Sequence, residues 1–551
     1  MRYQRGEGDG AHGRGFTWLS SAIVAAGIAL RLWQYLGRSA LWSDEAAVAN
    51  NIVSRGYAHL LLHPLANNQA APVGFLLIEK VAASIFGANE LALRVYPLLC
   101  SMLALLLLWR VARRLLPPAS VALVLIPFAF ARPMLFYAAE VKQYSSDLAI
   151  ALVLLLVALE LSDGASKTRA LAGAAIIGAL AVWLSQPAVL VVAGLGGALL
   201  VTSYIDARGA GERREVRALA PIGSVVAAWG LSALGATLVS LRHLTPASQH
   251  FMRVFWGDGF WPLSLAHPSS VAWPAQRVPF ILGNQLGIPT SIGFACVLLA
   301  AVGVILTWRT DWRVFTLLLA PLVVALGASA THLYPFGDRL ALFLIPSLLL
   351  LATIGITGMA ALVPAPRGAS LVLVSATVFL LVVEAQALRT APPVYRREEI
   401  TPALAYLRAK STAGDAVYVY YGAVPAYTFY DGGAPFPARA TMGGCHRGDA
   451  RGYLTELDAQ RGRARVWMLF AHESWRLGER ELMLRYLDAI GTVRDSTTSL
   501  GRDVEGKPTI VRLYLYDLSD SARLASAQAS DLPIPKSGAL EERQQCAPAS
   551  E

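Results

Sequence analysis

Several short stretches of this chain carry side chains that could move a proton or hold a phosphate. Leu41-Trp42-Ser43-Asp44-Glu45-Ala46 sets two carboxylates side by side. Glu140-Val141-Lys142-Gln143-Tyr144 combines an acid, an amine and a phenol, and Tyr334-Pro335-Phe336-Gly337-Asp338-Arg339 places an acid–base pair before an apolar run. Arg94 and His63-Pro64 add further bases. A carboxylate in reach of a hydroxyl can take its proton, and fixed cations can hold charge that develops on a leaving phosphate. Each stretch also has a plain structural reading. Ser43 or Asp44 can open a helix whose first turn favours Glu45. Glu140 and Lys142 can flank a helix start, and Asp338–Arg339 can be a local ion pair, worth little if exposed.

The elements that must position these residues are membrane spans. The chain has 551 residues, 55% hydrophobic and 15% charged, with mean hydropathy +0.49. Such a composition excludes an ordinary soluble enzyme, in which about a quarter of residues are charged. The charge is uneven: from residue 389 onward roughly a quarter of the residues are charged, as in a soluble domain. Nearly all of the net charge of +10 lies before that point, which fits loops held near anionic lipid better than nucleic-acid binding. Runs of about 20 apolar residues fall at 17–36, 94–112, 119–137, 145–161, 170–185, 187–204, 219–241, 289–307, 314–331, 339–360 and 369–388. The expected fold is therefore an α-helical polytopic membrane protein of about 11 transmembrane helices, with a C-terminal external α/β domain. Its parts are a cytoplasmic arm (1–16), a membrane body (17–388), an external domain (389–530) and a disordered tail (531–551).

Arg2, Arg5 and Arg14 precede the first span, which lacks a cleavage pattern and reads as a retained anchor with its N-terminus inside. Alternation then places Arg113–Arg114, Lys167 and Arg169, Arg208 to Arg217, Arg309 and Arg313, and Arg367 on the inner side, as the positive-inside rule requires. Asp44, His63, Arg94, Glu140, Asp338 and Arg339 all fall outside. In the first outer segment, 44–62 and 72–86 read as interfacial helices; a true span at 72–86 would reverse everything downstream. The segment 242–289, with Trp256, Trp261 and Trp273, reads as a lid or re-entrant loop anchored by aromatic rings. Gly194-Leu195-Gly196-Gly197 reads as close helix packing. Beyond 389, a helix at 401–410, strands at 415–421, 465–470 and 509–516, and a helix at 479–490 are expected. Cys100 and Cys296 fall in spans, while Cys445 and Cys546 lie outside, where an oxidising medium permits them to pair.

The order of these motifs resembles the GT-C superfamily of integral-membrane glycosyltransferases. Trp42-Ser43-Asp44-Glu45 looks like the Asp-Glu motif that follows the first span. Asn68-Gln69-Ala70-Ala71-Pro72, Gly74-Phe75-Leu76-Leu77, Phe86-Gly87, Glu90 and Leu93-Arg94 look like that group too. So do Glu140-Val141-Lys142-Gln143-Tyr144-Ser145 and Gly337-Asp338-Arg339 before an apolar span holding Pro346. The fit is best to the bacterial protein-mannosyltransferase-like branch, with its aminoarabinose and galacturonosyl transferases acting on lipopolysaccharide.

The resemblance implies transfer of a sugar from a polyprenyl-phosphate donor to an acceptor hydroxyl on a glycan, lipid or protein. The site would be the bacterial cytoplasmic (inner) membrane, on its outer face, with inversion at the anomeric carbon. Asp44 would be the general base, Glu45 would orient it or the acceptor, and Glu140 would be a second carboxylate in the cavity. Arg339, Lys142, Arg94 and Tyr144 would hold the donor phosphate, with His63, Gln69 and Asp338 as further site residues. Some members of the superfamily use a divalent metal; the absence of a third clustered acid or a His pair at metal spacing leads to an expectation of no metal here. A lipid-linked sugar transporter is the first competing reading, but it would show repeated halves and polar groups at the bilayer midplane. A non-catalytic envelope assembly protein is the second, for which Asp44 and Glu140 would be dispensable.

Overall fold

A computed structural model describes residues 11–526, apart from 165–166, 210–214, 265–267, 365, 433–435, 437, 448–449, 474–477 and 505. The membrane body runs α1 (Ala11–Leu36), α2 (Ser43–Ser54), α3 (Tyr57–Leu62), α4 (Val73–Phe86), α5 (Glu90–Leu115), α6 (Val121–Phe130), α7 (Arg132–Tyr137), α8 (Tyr144–Ser162) and α9 (Thr168–Leu184). It continues with α10 (Ala188–Gly209), α11 (Glu215–Arg242), α12 (Pro246–Phe255), α13 (Pro268–Leu286), α14 (Thr290–Thr310), α15 (Trp312–Ala330), α16 (Ile345–Ala361) and α17 (Pro366–Thr390). Among the described residues nine helices are long and apolar enough to cross a membrane, and Pro118–Phe130 and Thr168–Leu184 are shorter apolar helices. Together they are the eleven segments expected from hydropathy. Their neighbours α2, α3 and α4 form the first loop, where two interfacial helices were expected.

Two spans differ from plain rods. The stretch 119–137 is two helices, because Pro133 has no N–H to continue the ladder. The carbonyls freed at the break are taken by a buried base: Arg31 of α1 donates to Phe128 O and Ala129 O, both at 3.0 Å. The span at 339–360 opens with a 3₁₀ stretch, Asp338–Leu344, before α16. Close helix approach relies on small residues. A Cβ on Gly303 would strike Leu351 O of α16, and one on Gly194 of α10 would lie 2.7 Å from Pro321 N of α15.

The C-terminal part comprises α18 (Thr401–Lys410), β1 (Ala416–Val419), α19 (Val424–Asp431), β2 (Arg439–Met442), α20 (Ala450–Asp458), β3 (Val466–Phe470), α21 (Glu479–Ile490), β4 (Thr492–Arg502), β5 (Pro508–Asp517) and α22 (Ser521–Ser526). The sheet order is β2-β1-β3-β5-β4, with β1 parallel to β2 and β3, and β5 antiparallel to β3 and β4. Every residue of β1 and β3 is buried, which is why both read as unbroken apolar runs. The strands β2 and β4 escaped the sequence reading because both lie at sheet edges and are polar: Arg-Ala-Thr-Met and Thr-Val-Arg-Asp-Ser-Thr-Thr-Ser-Leu-Gly-Arg. The sheet is not a separate body. Val417, Val419, Trp467 and Leu469 share one apolar core with Ala46, Val48 and Ile52 of α2, Phe75 of α4 and Leu93 of α5. Cys100 and Cys296 are free; the expected partner of Cys445, Cys546, lies outside the described residues, as do residues 1–10 and 531–551.

Candidate active site

The helix α2 starts directly beyond the first span and carries both carboxylates in its first turn. From there Asp44 and Glu45 point to different partners. Asp44 is bracketed by two cations: Lys142 Nζ lies 2.8 Å from Oδ1 and Arg339 Nη2 3.1 Å from Oδ2. Residues 44, 142 and 339, from three distant stretches, thus meet at one carboxylate. Gln69 closes the group, accepting from Lys142 Nζ at 2.7 Å and lying 3.4 Å from Asp44 Oδ1. Burial alone would raise the Asp44 carboxyl, but the charges of Lys142 and Arg339 outweigh it and hold the group well below the usual carboxylate range.

Arg339 is fixed by aromatic rings as well as charge. Its guanidinium lies 5.5 Å from the centroid of Tyr144 and 5.5 Å from that of Trp256, a cation–π arrangement. Tyr144, at the start of α8, is therefore the platform beneath Arg339. Trp256 comes from the segment 242–289, so the expected lid does reach the site; its Ser248 also contacts Asn68 at 3.3 Å. Asp338 does not pair with its neighbour Arg339. It accepts from Gln285 Nε2 of α13 at 2.7 Å.

Glu140 follows α7 and is buried. Its Oε1 accepts from the Trp42 indole at 3.2 Å, while Oε2 has no hydrogen-bond partner. Burial, with the nearby Glu45 charge, pushes the carboxyl up to about 7. Arg339 Nε is likewise buried without a partner. Buried polar atoms are normally satisfied, and Glu140 Oε2 and Arg339 Nε are an acceptor and a donor near Asp44 that no protein group satisfies.

Two expectations need correcting. Arg94 cannot serve a phosphate, because a guanidinium has five N–H donors and all five are taken. Nε and Nη2 bind Glu45 at 3.0 and 2.7 Å, Nη1 binds Ser39 O and Oγ, and Nη2 also reaches Ala40 O. Glu45 is spent in the same way, accepting from Val141 N at 2.8 Å as well. It ties α2 to α5 and to the Glu140–Lys142 loop, and has no contact with Asp44's cations. His63 is the second correction. It is exposed, its ring tilted against that of His59 with centroids 4.4 Å apart, and it makes no hydrogen bond to the group around Asp44.

Residues 69–209 match the model of the dolichyl-phosphate-mannose-protein mannosyltransferase family. That stretch holds Gln69, Glu140, Lys142 and Tyr144. No curated protein matches the chain. Among solved structures, ArnT from Cupriavidus metallidurans bound to undecaprenyl phosphate is 15% identical, covering 90% of this chain and 98% of that one at a TM-score of 0.47. The Archaeoglobus fulgidus oligosaccharyltransferase in complex with Zn and sulfate is 10% identical, covering 82% and 67%, at 0.49. The oligosaccharyltransferase AglB from Archaeoglobus fulgidus, in complex with an inhibitory peptide and a dolichol-phosphate, is 11% identical, covering 95% and 75%, at 0.47. These are likenesses of overall shape and lend no residue a role.

A divalent metal fits the donor set poorly. Among the described residues no group of three or more His, Cys, Asp or Glu could hold one, and the Asp44 carboxylate already faces two cations. Sequence reasoning missed Trp42 as the link to Glu140, Trp256 as a wall of the Arg339 slot, and the run Arg396-Arg397-Glu398-Glu399. The last was visible as a dense charge cluster just past the final span.

Proposed function

We propose that this membrane protein is a glycosyltransferase taking a sugar from a polyprenyl-phosphate donor. The observation that carries this reading is the convergence of Asp44, Lys142 and Arg339, with an orphaned donor and an orphaned acceptor beside them. Lys142 and Arg339 both pair with Asp44. A donor phosphate, entering beside Arg339 Nε, would share both cations. Their pull on Asp44 would then weaken and its carboxylate would gain basicity just when an acceptor hydroxyl needs it.

The acceptor oxygen would attack the anomeric carbon opposite the phosphate, which inverts the configuration. Its proton would pass to Asp44, and the bond electrons would leave on the lipid phosphate held by Lys142 and Arg339. Glu140 would stand beside the acceptor as a second carboxylate, and the Glu45–Arg94 pair would hold α2 rigid beneath the site. The N-terminus and the basic loops would face the cytoplasm of a bacterium, with the site and the C-terminal sheet outside. Acceptors would be hydroxyls of a glycan, lipid or protein.

The test is label transfer from a panel of radiolabelled polyprenyl-phosphate sugars into lipid and protein fractions, using membranes with the native chain or Asp44→Asn. Transfer by the native chain that vanishes in folded Asp44→Asn supports the reading. Undiminished transfer by Asp44→Asn removes Asp44 as the base and moves the role to Glu140. A native chain inactive with the whole panel overturns the donor class.

A further inference from the structure

The helix that carries Asp44 has no cap of its own. Its N-cap residue is Trp42, whose side chain offers the helix no acceptor, so the first backbone N–H groups must find partners elsewhere. One of them, Ser43 N, finds its partner in the C-terminal part, which also holds the two residues that precede Trp42. Ser43 N donates to Glu398 Oε2 at 3.2 Å, and Ala40 N to Glu399 Oε2 at 3.4 Å. Leu41 N donates to the Tyr430 hydroxyl of α19 at 3.0 Å. Glu398 is almost fully buried, and its other oxygen, Oε1, is 2.7 Å from His472 Nδ1.

His472 lies just past β3, beyond the carboxyl end of a parallel strand, where open α/β sheets place their functional residues. Its φ of 54° is in the left-handed region, which a non-glycine residue holds only when its surroundings insist, and such residues gather at functional sites. Its ring also faces the membrane body, with its centroid 5.8 Å from that of Trp42. The Trp42 ring is covered by the Arg397 guanidinium at 3.8 Å, and its indole N–H reaches Glu140. The imidazole of His472 thus adjoins both routes into the site: through Glu398 to Ser43 and Asp44, and through Trp42 to Glu140.

Resting on the glycosyltransferase reading, we propose that His472 is a positioning residue for transfer, which with Glu398 fixes the start of α2 and so the placement of Asp44 and Glu140. The C-terminal sheet is then part of the catalytic unit. Two further observations agree. His472, Arg397 and the Ser43 N–H offset the burial of Glu398 and keep its carboxyl below the usual range. His472 also contributes to the field that lowers the Asp44 carboxyl, after Lys142 and Arg339.

The test compares His472→Ala, His472→Asn, Glu398→Gln and the His472→Ala/Glu398→Gln pair in the full-length protein. The probe is whichever polyprenyl-phosphate sugar the native chain uses, and kcat and donor KM are measured separately. A small misplacement of a reacting group costs up to about 100-fold in rate. His472→Ala should therefore lower kcat about 10–100-fold and leave donor KM within about twofold, because Lys142 and Arg339 are untouched. His472→Asn keeps an N–H for Glu398 and should recover most of the rate. The pair should be no slower than the worse single variant, as expected for residues acting as one unit.

Native kcat in His472→Ala overturns the proposal and leaves the glycosyltransferase reading intact. Equal losses in His472→Ala and His472→Asn, or a rise in KM alone, also overturn it. A native chain inactive with every donor instead overturns the reading on which it rests, and this inference falls with it.

Discussion

Asp44 and Glu45 are neighbours on one helical turn, both carboxylates, both beside arginine, and they meet opposite fates. Glu45 and Arg94 use one another up: side chains 2% and 3% exposed, bidentate contact, five guanidinium donors engaged. Asp44 remains 19% exposed, and its Arg339 keeps a buried donor without a partner. The satisfied pair is a brace, and the unsatisfied one is, on the proposed function, the receptor for the donor phosphate. The difference arises from direction on the helix: residues one apart point about 100° away from each other. Glu45 therefore looks into the α5 interface while Asp44 looks toward the loops bearing Lys142 and Arg339.

The comparison can be broken or sharpened by substitution. The largest effect is expected for Asp44→Asn, which should lower transfer by about 10²–10⁴-fold, the usual weight of a general base, with little change in melting temperature. An equal loss of stability would make Asp44 a brace like Glu45. Next comes Arg94→Met, which strands a buried carboxylate and should cost about 3–5 kcal/mol of stability. The double variant Arg94→Met/Glu45→Leu should recover much of that loss, because replacing a buried pair by apolar groups is often neutral. Recovery in a denaturation experiment would confirm the brace, and no recovery would show that Glu45 has a second duty.

Smaller, and specific to the receptor, is Arg339→Lys. It keeps the charge but loses the fork and the fit between two rings, and should raise donor KM about 5–10-fold at the ~1–1.4 kcal/mol of a partly desolvated cation–π contact. Unchanged binding of undecaprenyl phosphate by this variant would remove Arg339 from the phosphate site.

The smallest effect is a pH dependence. The folded state raises the Glu140 carboxyl to about 7, so the neutral form is favoured. That contribution to stability is full below the ordinary Glu range and is lost as pH rises through about 7. The native chain should lose more thermal stability between pH 5 and 7 than Glu140→Gln does. Equal slopes would show that Glu140 is not the group titrating there.

The fold was largely legible because hydropathy is local. The nine long apolar helices and the two shorter ones among the described residues were all visible as apolar runs, as were β1 and β3, buried on both faces. Polar edge strands β2 and β4 carry no such mark. Site residues divide in the same way. The types at 44, 140, 142 and 339 showed chemistry, and the motif order suggested one chamber.

The sequence by itself determined a polytopic helical body, a sheet-bearing tail, and which short stretches carry acids and bases. Only the tertiary structure decided which of those groups are free to act. Arg94 stood behind Arg339 and Lys142 as a candidate for the donor phosphate, yet its five donors are consumed, and His472 was invisible until Glu398 tied it to the start of α2. The physical reason is that a side chain's capacity depends on how many of its hydrogen bonds are already made. Its partners here lie tens to hundreds of residues away, so that capacity exists only once the chain has folded.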